Sequence, residues 1–273
     1  MHSVSAPGIR RTARRASASK SAHFLARAGL TARGVIYILI GWVAVLVALG
    51  HSSREADQQG ALQMLAGTSY GLVSLWLLGI GFAAYALWRL SEAVFGVTGE
   101  RPGAGPRLKS LARAIVYAGL CYLTFSVISG TNRSLSGRQQ DMTATAMQHT
   151  PGRVLVGAIG VAIVICGIVL VAEGARKKFM RHLNTAQMSA RTRRAVKLLG
   201  MTGTIARGVV FALVGVLVAD AAITHKASES GGIDKALLTL REQPLGEFLM
   251  LVAALGLLIF GIYGLCEARW RKV

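Results

Sequence analysis

Acidic residues are scarce in this chain: 12 Asp and Glu stand against 31 Lys and Arg in 273 residues. Charged residues of both signs make up only 16%, where a water-soluble domain carries about 25%. Proline is nearly missing, with 5 residues, so long helices are not interrupted. Only three cysteines occur, Cys121, Cys166 and Cys266, each inside an apolar stretch. An odd count without regular spacing excludes a disulfide framework and a zinc site, and leaves them as small packing residues. Also missing are a Ser-His-Asp set, a phosphate-binding loop and any metal motif. Gly103-Ala104-Gly105-Pro106 is a turn-rich linker, not a nucleotide loop. The expectation is a protein that is not an enzyme and uses no cofactor.

What is present is apolar: 53% of the residues are hydrophobic. They gather in six runs, near 34–50, 70–91, 113–130, 154–172, 207–223 and 246–266. About 20 helical residues at ~1.5 Å each cross the ~30 Å hydrocarbon layer. Only helices or closed barrels satisfy backbone groups there, and runs this long and rich in Leu, Ala and Gly read as helices. The net charge of +19 invites a nucleic-acid reading, but six apolar spans argue against nucleic acid as a partner. No ionisable residue lies deep in a span, which counts against an ion pump or a coupled transporter.

The charge is explained by orientation. Segments 1–33, 89–113, 173–207 and 267–273 carry 7, 5, 9 and 3 Lys and Arg, which is 24 of the 31. The intervening connections carry 1, 3 and 3. The positive-inside rule then puts both termini in the cytoplasm, in a bacterial inner (plasma) membrane. The basic leader with Arg10, Arg11, Arg14, Arg15, Lys20 and Arg27 reads as a disordered tail near anionic lipid. It resembles the front of a signal peptide, but equivalent spans recur in mid-chain, which argues against cleavage.

The spans repeat. Arg33-Gly34-Val35-Ile36-Tyr37 matches Arg207-Gly208-Val209-Val210-Phe211, with Arg113-Ala114-Ile115-Val116-Tyr117 between them. Gly71, Gly152 and Gly246 each stand 21 residues before Glu92, Glu173 and Glu267. From Arg to Glu the separations are 59, 60 and 60 residues. Each unit is an entering span, an external piece and a returning span. The external pieces near 57–66, 141–149 and 233–242 read as short helices on the membrane surface. The expected fold is all-α integral membrane: six transmembrane helices as three parallel helical-hairpin repeats with pseudo-three-fold symmetry. The divisions are a basic tail at 1–26, repeat 1 at 27–98, a linker at 99–108, repeat 2 at 109–178, a basic linker at 179–198 and repeat 3 at 199–273. An Arg-Gly-x-x-Tyr opening, an external segment ending in Pro-x-Gly or Pro-Gly, and a closing Glu resemble the bacterial domain-of-unknown-function family 1206. The resemblance covers about residues 24–270, and departs from the pattern at Ala114 and before Gly71. It implies six spans in three two-helix repeats and supplies no activity.

The candidate site residues are the repeated charges Arg33, Arg113, Arg207, Glu92, Glu173 and Glu267. All lie at one edge of the membrane, as structural ion pairs or as a charged ring around a pore or a headgroup cleft. Gly34, Gly41, Gly160, Gly167, Gly208 and Gly215 recur at seven-residue spacing and read as faces where helices pack closely. His51, His149 and His225 read as solvated loop residues, since position 131, equivalent to His51, is Thr. The expected partners are the lipid bilayer, with anionic lipid at the basic surface, and an unidentified membrane protein. Three functions follow in order: a structural or partner-binding component, a channel or small-solute facilitator along the pseudo-axis, and a lipid-modifying enzyme.

Overall fold

The computed structural model describes residues 20–52, 54–96, 104–130, 135–226 and 230–271. Most of the 1–26 tail and half of the 99–108 linker lie outside them; helix is already present from Lys20 and from Ala104. The elements are α1 (Lys20–Ala48), α2 (Gln58–Ala66), α3 (Gly71–Phe95), α4 (Ala104–Ile128), α5 (Leu135–Met147), α6 (Thr150–Ala175), α7 (Ala190–Thr224), α8 (Ile233–Arg241) and α9 (Gly246–Trp270). Six of them, α1, α3, α4, α6, α7 and α9, are long and apolar enough to cross a membrane. Helix α7 has 35 residues, roughly 52 Å, so it overruns a ~30 Å hydrocarbon layer. Its first turns carry Arg191, Arg193, Arg194 and Lys197 on the overhang.

Each repeat is α-helix, short helix, α-helix, and the three repeats meet through three seams: α3 against α4, α6 against α7, and α9 against α1. Two seams are glycine-lined. A side chain on Gly41 would run into the Leu258 backbone nitrogen at 2.6 Å, and one on Gly261 into that of Ile38 at the same distance. Across α6 and α7, Gly167 would meet the Ala212 nitrogen at 2.5 Å and Gly215 the Val164 nitrogen at 2.5 Å. Lipid tails are as apolar as these side chains, so association depends on such close approach rather than on the hydrophobic effect. The α3–α4 seam is aromatic instead: Tyr85 and Tyr117 meet edge-on at 4.3 Å, and Trp76 and Phe125 at 5.2 Å.

We call the end carrying the repeat Arg and Glu the terminal end and the opposite one the tip. At the tip α2 and α8 each pack one face into the protein. Gln59, Ala61 and Leu62 of one and Ile233, Ala236 and Leu237 of the other are buried. The two are tied together: the Asp234 carboxylate accepts the Ala56 N–H at 2.6 Å, and Asp57 caps α2 through the Gly60 N–H at 2.9 Å. The repeated Gly71, Gly152 and Gly246 open the returning helices, where a Cβ would overlap the carbonyls of Leu65, Ala146 and Arg241. Tight backbone reversal at that point explains why the same residue type stands there in all three units. At the terminal end the 179–198 segment is structured. Leu183 is fully buried and the Asn184 N–H donates to the Trp270 carbonyl at 2.8 Å.

Candidate functional site

Hairpins 1 and 3 are closed by two matched contacts. In hairpin 1, Gly29 lies under Tyr85 and Gly81 lies against Ala32, whose Cβ is 3.0 Å from where a Gly81 Cβ would stand. In hairpin 3, Gly203 lies under Phe260, whose backbone nitrogen is 2.6 Å from a built Cβ, and Gly256 lies against Ala206. Counting from the repeat Arg and Glu, the equivalents in hairpin 2 are Lys109 with Cys166 and Ala162 with Ala112. Glycine is lost on both helices and the aromatic is lost with it. The result is geometric: α1 packs on α3 and α7 on α9, but α4 and α6 do not pack along each other. Lys109, Ala112, Ala162 and Cys166 are all exposed. A lateral cleft therefore opens on one side of the bundle.

Above the cleft sits a cavity of about 380 Å³ whose apolar wall is Ile159, Ala162, Ile163, Cys166, Phe211 and Val214. At its tip end Asp57, Gln58 and Gln139 line it. At its terminal end lies Arg207. That guanidinium carbon is 4.9 Å from the Phe211 ring, 4.8 Å from Phe260 and 5.2 Å from Tyr37, so three aromatic faces hold the cation.

The repeated charges form a connected but uneven cluster. Arg33 pairs with Glu267 at 2.5 Å, between repeats 1 and 3. Arg271 pairs with the other oxygen of Glu267. Glu92 is taken by Arg89 at 2.6 Å, on its own helix, and accepts the Ser110 hydroxyl at 3.2 Å. Arg89 also donates to the Tyr85 hydroxyl at 2.7 Å and stacks on Trp88 at 4.2 Å. Among the described residues Arg113, Arg207 and Glu173 make no ion pair. The charged groups bearing most on Arg113 are Arg89, Arg271 and Arg33, with the Tyr85 phenol beside them. Arg207 in turn bears on Tyr117. Arg89, Arg271, Ser110, Tyr85 and Tyr117 were not singled out in the sequence. For the first two, the signal was the i,i+3 and i,i+4 spacing to Glu92 and Glu267, which carries weight only once both helix ends are known to be buried.

Gly34, Gly41, Gly160, Gly167, Gly208 and Gly215 all stand in helix seams, with neighbouring backbone inside the space of a side chain. Of the histidines, His225 caps α7 in a left-handed conformation and contacts Arg153 of α6, and His51 lines a separate tip cavity of about 580 Å³. No group of three or more His, Cys, Asp or Glu among the described residues is placed to hold a metal ion.

These features define a class: a multi-pass helical membrane protein made of three hairpin repeats, with six apolar spans. The family model Domain of Unknown Function (DUF1206) matches residues 28–96, 108–177 and 202–271, and the chain belongs to that family. It is similar to the "Uncharacterized protein YxxB" of Bacillus subtilis (strain 168), 30% identical over 250 residues that cover 90% of each chain. No solved structure matches.

Proposed function

We propose that this chain is a non-enzymatic membrane component that binds a partner inside the bilayer and does not pass solutes across it. The observation that carries this reading is the direction of the opening. The cleft faces sideways, between α4 and α6, while the middle of the bundle is filled by buried Tyr37, Phe82, Tyr117, Leu257 and Phe260. The tip is covered by the buried faces of α2 and α8. A pore would need a polar lining along that line. A lipid-modifying enzyme would need carboxylates or imidazoles grouped at an interfacial cleft, whereas Glu92 and Glu267 are held by arginines and Glu173 is the one repeat carboxylate without an ion pair among the described residues. The same reading places the chain in a bacterial inner membrane with both termini cytoplasmic, supported by the alternation of Lys and Arg along the connections.

Flux through liposomes containing the purified protein is the test. Ions and small neutral solutes should cross no faster than through empty liposomes. Flux above that background, altered by Arg113→Ala, would sink the reading in favour of a channel. For orientation, a cysteine placed at exposed Lys226 should react with an impermeant maleimide added outside intact cells. Labelling only after lysis would reverse the topology.

A further inference from the structure

The cleft of hairpin 2 is chemically two-ended, and its two ends fit the two ends of a lipid. We propose that it holds a single anionic phospholipid, its phosphate between Arg113 and Arg207 and an acyl chain in the cavity above. The inference rests on the binding reading and names the ligand.

Charge gives the first argument. Three guanidiniums, Arg33, Arg89 and Arg271, pair with Glu92 and Glu267 at the terminal end, and the repeat Arg113 and Arg207 stand at the same end. Those two carboxylates are used by Arg33, Arg271 and Arg89, which leaves Arg113 among like charges and Arg207 against three aromatic faces, both without an ion pair among the described residues. The Arg207 Nε is buried without a hydrogen-bond partner among the described residues, as are those of Arg33 and Arg89. Cations at the rim of a bilayer need an anion or water, and a phosphodiester supplies charge-assisted acceptors matched to guanidinium donors.

Shape gives the second. The cavity begins where Arg207 ends, because Phe211 is both its wall and a face of the Arg207 site. Its far end holds Asp57, Gln58 and Gln139 and no cation, so an anionic head belongs at the Arg end. A volume of about 380 Å³ suits an alkyl chain. One turn of protein helix, roughly 10 Å across and ~5.4 Å tall, already displaces more than that. Entry is lateral, past exposed Ala112 and Ala162, directly from the bilayer. Glu173, seven residues below Cys166 on α6, faces the same cleft and opposes the anion.

The test is lipid retention on the full-length purified protein by native mass spectrometry, with phosphatidylglycerol, phosphatidylethanolamine and phosphatidylcholine of equal chain length. Phosphatidylglycerol should be held about tenfold more tightly than phosphatidylcholine, the size of one or two charged hydrogen bonds. Arg113→Ala with Arg207→Ala should bring the two within about twofold. Ala162→Phe fills the cavity without touching charge and should weaken both lipids. Glu173→Gln should tighten phosphatidylglycerol, and Arg194→Ala, on the exposed overhang, should change nothing. The proposal falls if the wild-type protein holds all three lipids equally, a comparison that needs no variant to fold. It also falls if phosphatidylethanolamine equals phosphatidylglycerol, if inorganic phosphate displaces the lipid as well as free phosphatidylglycerol does, or if a second protein chain occupies the cleft. A chain that retains no lipid yet is impermeable loses this proposal alone, whereas one that conducts loses the binding reading by the flux measurement.

Discussion

Glu267 is 7% exposed and satisfies two guanidiniums, from Arg33 on another repeat and Arg271 on its own helix. Removing one partner of a buried ion pair leaves an uncompensated charge, at a cost of about 3–5 kcal/mol. Glu267→Gln should therefore lower the thermal unfolding midpoint in detergent sharply. Glu173, its repeat equivalent, makes no ion pair among the described residues, and Glu173→Gln should cost under about 1 kcal/mol. Equal losses for the two would contradict the asymmetry. The glycines divide the same way. Gly167→Val drives a side chain into the α7 backbone, whereas Gly119 has nothing within 4 Å of its built Cβ and Gly119→Ala should be neutral. A repeated sequence shows that Arg33, Arg113 and Arg207 are equivalent in position; it does not show that of the three only Arg33 pairs with a repeat Glu, and that this is Glu267 of another repeat. That depends on Arg89, present in repeat 1 where repeats 2 and 3 have Leu170 and Gly264, which takes Glu92 from its own helix.

Among the elements, the helix seams were readable from seven-residue glycine spacing, since two turns return a residue to the same face. The burial of α2 and α8 was not, because polar Asp57, Gln59 and Asp234 suggest a wet surface. Their burial has a titration consequence. Desolvation first, then the charges of Glu55 and Asp234, push the Asp57 carboxyl up from 3.8 to about 7, against the opposing Gly60 hydrogen bond. Folded Asp57 thus binds its proton more tightly than the unfolded chain does. Its stabilising contribution is full below the unfolded value of 3.8 and is lost as pH rises through about 7. The unfolding midpoint should fall as pH rises from about 4 to about 7, the span between the two values, and Asp57→Asn, which keeps the cap acceptor, should flatten the fall. The open hairpin was legible in principle at Lys109, Ala112, Ala162 and Cys166. The signal is an absence of two glycines and one aromatic, visible only once the other hairpins show what those residues do. Restoring them with Lys109→Gly, Ala162→Gly and Cys166→Phe should close hairpin 2. A spin-label distance between α4 and α6 that shortens would show it; an unchanged distance would mean that another contact holds the helices apart.

For the whole molecule, six spans in three repeats follow from hydropathy and spacing, while the open hairpin is recognised only once the contacts of the other two are known. The seam of α1 with α9 joins the first and last spans, and Arg33 reaches Glu267 across 234 residues of chain. A polypeptide emerging from the ribosome threads α1 into the bilayer long before α9 exists, and domains form in the order in which they are made. Throughout that interval Arg33 lacks Glu267 and the glycine face of α1 lacks α9. The seam of α1 with α9 therefore forms only once α9 is made, and a nascent chain halted before α9 is a natural client for whatever shelters unassembled membrane helices.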